Sequence, residues 1–225
     1  LGANETINAK REDTVERTLL VKDIFKLPNV EVASHSWGHP FDWTDQKSAT
    51  LVPKSKWNIV KEILYSADFI DYFLVTDKKC RVFLLSGDCN PTHEALKLIY
   101  KRGLIAFNGY VDRQLPFEKI GDYLQWAQRA WHDVWYTGIR KYKDQNGNRI
   151  PFVDHPYGYK KVVDYFVAEA SRPVHVYFHF YAAEFPETLS SVDYVLDWCT
   201  KQNLESLFLT EYVERTLHEM HGDGK

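Results

Sequence analysis

Hydrophobic positions along this chain follow two alternating rhythms. The runs 30–34, 81–86, 104–107, 174–181 and 206–209 are short and rich in β-branched or aromatic residues, the composition of strands. Between them, apolar residues spaced three and four apart predict helices at 12–26, within 55–73, and at 91–102, 158–170, 188–202 and 211–219. The pair Asn90-Pro91 offers an N-cap followed by a residue suited to the first helical turn, and Gly103 suits the end of that helix. Strands alternating with helices are the pattern of βα units and a largely parallel sheet, so the expected class is α/β in a single domain. The stretch 109–157, with Trp126, Trp131, Trp135 and the turn-forming Asn146-Gly147, reads as an irregular insert covering a functional face.

Composition narrows the functional classes. A formal charge of -3 and the lack of a dense Lys/Arg run give no electrostatic footprint for nucleic acid or an anionic membrane. No apolar run is long enough to span a bilayer. Cys80, Cys89 and Cys199 are odd in number and lack CxxC spacing, which suggests neither a disulfide scaffold nor a zinc ribbon. Aromatic residues make up 15% of the chain, and rings carrying polar groups suit sugar-binding clefts as well as cores.

In parallel sheets, sites form at the carboxyl ends of the strands, and the polar residues there are few. Val32-Ala33-Ser34-His35-Ser36-Trp37-Gly38-His39-Pro40-Phe41 ends the first strand with two imidazoles four residues apart. Gly38 and Pro40 allow a turn that brings both rings toward one Zn²⁺, whose Zn–N bonds are about 2.0–2.1 Å. Two loop histidines satisfied by hydrogen bonds account for the same spacing. His175 and His179 share it too, but within a strand they lie ~13 Å apart and do not share an ion. In that strand His175, Tyr177, His179 and Tyr181 take one face, and His179 stands nearest the mouth, where an imidazole serves as general acid or packs as a core histidine. Asp88, in Ser86-Gly87-Asp88-Cys89-Asn90-Pro91, is a helix cap or a carboxylate that orients a histidine or reaches the metal. Glu211 reads as a first-turn dipole complement.

Taken together, "SHSWGHPF", "FLLSGDCNP", "YGYKKV" and "VYFHFYAAE" followed by "DYVLDWCTKQNLESLFLTEYVERT" resemble the polysaccharide deacetylase domain of PelA-type proteins, which act on the Pel exopolysaccharide of bacterial biofilms. That domain belongs to the NodB-like group of metal-dependent deacetylases, within the carbohydrate esterases. The resemblance runs in order from about residue 27 to residue 216. It implies a distorted (β/α) barrel, incomplete at its amino-terminal side, that removes N-acetyl groups from a hexosamine polymer. It makes His35 and His39 ligands of a divalent metal, zinc by preference, and His179 the catalytic acid. Asp88 becomes part of the catalytic wall, with Trp37, Asn90, Trp135, Tyr177 and Tyr181 toward the substrate.

The resemblance places the protein in the bacterial periplasm or outside the cell, with exopolysaccharide-machinery proteins as partners. Two departures stand out. The related turn continues with Arg-Pro where this chain has Asn90-Pro91, and no Asp-rich strand end, the expected source of a metal carboxylate and general base, precedes Leu27. A non-catalytic glycan-binding module of an exopolysaccharide machine is therefore the alternative expectation. A glycoside hydrolase needs two strand-end carboxylates, and only Asp88 and Glu211 offer themselves.

Overall fold

A computed structural model describes residues 11–45, 50, 56–75, 77–108, 116–126, 131–132, 146, 164, 167, 173–177 and 186–222. The chain divides into two compact units, residues 1–127 with 207–225, and residues 128–206. Among the described residues no helix is long and apolar enough to cross a membrane.

The first unit is mixed α/β around a five-stranded sheet. Helix α1 (Arg11–Lys26) is followed by β1 (Ala33–Ser34), a helical segment α2 (59–74), β2 (Val82–Leu84), α3 (His93–Lys101) and β3 (Ile105–Phe107). A hairpin, β4 (Phe117–Ile120) and β5 (Tyr123–Trp126), completes the sheet, in the order β1-β2-β3-β5-β4. All neighbours are parallel except β4 with β5. Parallel neighbours need a crossover, which α2 supplies between β1 and β2 and α3 between β2 and β3.

The hairpin falls where the sequence pattern suggests an irregular insert. Its signal was the pair Gly121-Asp122 between two four-residue runs, with Gly121 in the left-handed region at φ 61°, the conformation a two-residue hairpin loop requires.

Side-chain alternation along β2 and β3 divides the core. Phe83 and Ala106 pack with Val21 and Phe25 of α1, Ile63 and Ile70 of α2, and Leu96 and Ile99 of α3. Val82, Leu84, Ile105 and Phe107 pack on the other face with Trp126 and with Val213. Val213 belongs to the last helix of this unit, α5 (Leu209–Gly222).

Two boundaries differ from expectation, and one agrees with it. The N-cap of α3 is Thr92, whose hydroxyl accepts the Ala95 N–H at 3.1 Å, and not Asn90. At its far end Gly103, at φ 78°, is where the sequence puts the stop, and Leu104 N–H to Ile99 and Gly103 N–H to Tyr100 close a Schellman motif. The expected strand 206–209 does not form, because Leu209 opens α5. The cause is tertiary: Glu31 takes the N–H groups of Leu209 (2.9 Å) and Thr210 (3.3 Å) and the Thr210 hydroxyl, while Glu211 reaches back to the Phe208 N–H at 2.9 Å. Between them the two carboxylates satisfy three of the orphan donors of the helix start. Glu211 thus stands in the first turn, where the sequence reads a dipole complement, and also accepts the Phe208 N–H.

In α2, π-helical turns at Lys61–Tyr65 and Ile70–Leu74 flank an α-helical stretch, Ser66–Phe69. Such turns are rare and recur near functional sites. The buried flank of α2 carries three polar residues, Glu62, Ser66 and Asp71. Asp71 binds the Cys80 N–H at 2.7 Å and, with Asp68, clamps Arg102 at 2.8 Å.

The second unit holds β6 (Trp131–His132) and β7 (Val176–Tyr177), paired in parallel, and helix α4 (Pro186–Lys201). β7 lies within the expected strand 174–181, of which 178–181 are outside the described residues, and α4 corresponds to the expected helix 188–202. Of the expected helix 158–170, Asp164 and Val167 are helical and the remainder is outside the described residues. Burial pushes the His175 imidazole down to about 4, so this ring is neutral at physiological pH.

Replacing Glu31 with Ala strips the α5 start of its acceptor and should cost about 1–2 kcal/mol of stability in urea denaturation, with helix content reduced. Burial and the Asp71 charge push the Cys80 thiol up to about 12. Maleimide labelling at pH 8 should therefore reach Cys80 only after denaturant is added; labelling of the native protein at this thiol would contradict the packing.

Candidate functional site

Parallel pairing sets the carboxyl ends of β1, β2 and β3 side by side, and the segments leaving them are unusually contorted. Ser36 (φ 67°), His39 (55°), Cys89 (52°) and Asn108 (104°) all adopt left-handed backbone conformations that cost a side-chain-bearing residue energy, and Gly87 (61°) joins them.

The turn after β1 brings the two candidate imidazoles together. Their ring centroids are 4.9 Å apart and the planes meet at 81°. His35 Nδ1 lies 3.0 Å from the Leu84 carbonyl oxygen, an acceptor only, so that nitrogen donates, and in the neutral ring the lone pair is then on Nε2. This is the arrangement in which a histidine ligates through Nε2. His39 donates its backbone N–H to the Ser36 hydroxyl at 3.1 Å, and its ring meets the exposed Phe41 edge-on at 5.5 Å.

Beneath the turn sits Glu62, fully buried. One carboxylate oxygen accepts the Trp37 N–H at 2.9 Å and the Gly38 N–H at 2.5 Å. Burial raises the Glu62 pKa above the ordinary carboxylate value, opposed by these N–H groups and that of His39. Four residues along α2, Ser66 bonds the Ser34 hydroxyl of β1 at 2.5 Å. The sequence reading missed Glu62; the available signal was a carboxylate at a position flanked by Ile59, Ile63 and Ser66 on the core side of a helical pattern.

The turn after β2 locks onto the first. Ser86 donates to the Pro40 carbonyl at 2.9 Å and accepts the indole N–H of the buried Trp43 at its own carbonyl, 2.8 Å. A Cβ on Gly87 would stand 2.5 Å from the carbonyl oxygens of both Pro40 and Phe41. Asp88 donates its N–H to Phe41 at 3.0 Å, and its carboxylate accepts the N–H groups of Trp43 (3.4 Å) and Asn90 (3.3 Å). Burial, and to a smaller degree Asp42, raise the Asp88 pKa above the usual value. Gln125 ties the third strand end in, donating to the Cys89 and Asn108 carbonyls at 2.7 and 2.9 Å.

Of the residues singled out by sequence, His35 and His39 are thus brought together, with Asp88 and Asn90 on the adjoining turn. Asp88 faces the N–H groups of Trp43 and Asn90, so it ties the two turns together and does not cap the helix that follows, whose N-cap is Thr92. Trp37 is half-buried, edge-on to Phe69 at 5.7 Å, with the Lys61 ammonium 5.2 Å from its ring centre. Tyr177 is placed by its backbone in β7, while His179, Tyr181 and Trp135 lie outside the described residues. Two imidazoles supply at most two of the three or four protein ligands that a zinc site takes. Among the described residues no group of three His, Cys, Asp or Glu side chains is close enough to hold a metal ion. Comparisons with protein-family models, curated proteins and solved structures returned no match.

Replacing Gly87 with Ala adds a Cβ against two backbone carbonyls in a left-handed conformation and should cost at least about 2 kcal/mol. Urea denaturation checks this, with Gly103→Ala, whose Cβ meets nothing within 4 Å, as the control for conformational strain without a clash.

Proposed function

We propose that the protein is a metal-dependent hydrolase that removes N-acetyl groups from a hexosamine-containing exopolysaccharide. The observation that carries this reading is the His35–His39 pair at the carboxyl end of β1, its rings 4.9 Å apart and His35 Nδ1 bound to the Leu84 carbonyl. The ordered motifs that resemble NodB-like deacetylases support it, and on that resemblance the sheet belongs to a distorted (β/α) barrel exported to the periplasm or beyond the cell.

When bound, a zinc ion supplies a Lewis acid for the acetamide carbonyl and an acidified water. The chain's own residues have three tasks. His35 and His39 would hold the ion, Trp37 would offer an aromatic face to a sugar ring, and by the resemblance His179 would protonate the departing amine. That last step is needed because an amide nitrogen leaves poorly unless protonated. Asp88, engaged with backbone N–H groups, shapes the wall. The same engagement favours a second reading, a glycan-binding module that does no chemistry.

Zinc content of the purified protein and acetate release from an N-acetylglucosamine oligomer separate the two. The hydrolase should carry about one zinc per chain and lose both metal and acetate release in a His35→Ala, His39→Ala double variant. Oligomer binding that persists in that variant, with no zinc and no acetate released by the parent protein, would establish the binding module instead.

A further inference from the structure

We infer that Glu62 is the positioning residue of the two-imidazole site, acting as the internal anion on which the His35–His39 turn is folded. The inference rests on the proposed function for its importance, but its structural content stands on the turn itself. Between Ser36 at φ 67° and His39 at φ 55°, consecutive backbone N–H groups of Trp37 and Gly38 converge on one oxygen of Glu62. Successive N–H groups in mixed right- and left-handed backbone form a concave nest that favours an anion. Here the anion is supplied by the chain, from the first turn of α2.

The alternatives to this contact are costly. Glu62 is fully buried, and its other oxygen has no hydrogen-bond partner among the described residues, so the two N–H contacts are its main compensation for leaving water. The N–H groups in turn lose a charged acceptor if the carboxylate goes. A turn relieved of that acceptor can relax Ser36 and His39 out of their strained conformations, which swings the His39 ring away from His35. Ser66, one helical turn on, bonds Ser34 at 2.5 Å and keeps this flank of α2 registered on β1, so the carboxylate is delivered to a set position. Glu62 touches neither substrate nor metal; it acts through the backbone.

The test compares the parent protein with Glu62→Met, which fills similar volume without an acceptor, with Glu62→Gln, which keeps one acceptor oxygen but no charge, and with Asp71→Asn. Asp71 is a buried carboxylate on the same helix with only structural bonds, to Cys80 and Arg102. Two readouts are taken: in metal-free protein, the NMR cross-relaxation between the His35 and His39 rings together with their tautomers, and by chelator competition, the zinc dissociation constant.

Glu62→Met should lose the inter-ring signal and weaken zinc about tenfold or more, and Glu62→Gln should fall between it and the parent. Asp71→Asn should lower the melting temperature yet keep the inter-ring signal and bind zinc within about twofold of the parent. Inter-ring signals in both Glu62 variants equal to the parent's, or a loss in Asp71→Asn as large as in Glu62→Met, would overturn the inference. If Glu62→Met does not fold, Glu62→Gln against Asp71→Asn decides by the same signals. A parent protein that takes up no zinc but loses the inter-ring signal in the Glu62 variants would sink the hydrolase reading and leave the positioning role standing.

Discussion

The carboxyl end of the sheet depends on a close approach between two backbones. The turn after β2 passes so near the turn after β1 that Gly87 has no room for a Cβ, and the carbonyls of Pro40 and Phe41 take up the space. That approach lets Ser86 donate to Pro40 and accept from Trp43, and lets Asp88 bind the backbone on both sides of Trp43. Without it, His35 and His39 would sit on a turn free to unwind. With it, the imidazoles stand on a platform assembled from two strand ends and tied to a third through Gln125.

The platform is polar where one would expect core. Ser34, Ser36, Glu62, Ser66 and Ser86 are all buried, and each is held by a hydrogen bond to its neighbour across the strand ends or to the turn. Apolar residues of similar size would fill the same volume, but they would leave the N–H groups and carbonyls of two contorted turns without partners. Apart from one oxygen of Glu62, which has no hydrogen-bond partner among the described residues, these groups are paired, and any shift leaves several of them unmatched at once. The left-handed residues Ser36, His39 and Cys89 are the strain this arrangement sustains.

The same division of labour operates at the edge of the unit. α5 begins where it does because Glu31, from the chain just before β1, supplies acceptors that the local sequence lacks, while Glu211 supplies the one it has. A run that reads locally as a strand becomes irregular chain and a helix start, because capping by a carboxylate nearly 180 residues away satisfies the helix's orphan donors.

Periodicity and punctuation in the sequence determined the α/β class, the helices α1, α3 and α4, the strands β1 to β3 and the stop at Gly103, because those features depend on contacts within a few residues. The placing of His35 and His39 at a strand end was legible for the same reason, since Gly38 and Pro40 act locally. The hairpin at Gly121-Asp122 was legible in principle but hidden within a long aromatic stretch. Only the tertiary structure decided the bond of His35 Nδ1 to Leu84, the capping of α5 by Glu31, the duty of Asp88 toward backbone rather than imidazole, and the burial of Glu62 beneath the His35–His39 turn. Each of these is a pairing between groups far apart in the chain, and the energy of a buried donor or acceptor is set by whatever folding brings opposite it, which no local pattern encodes.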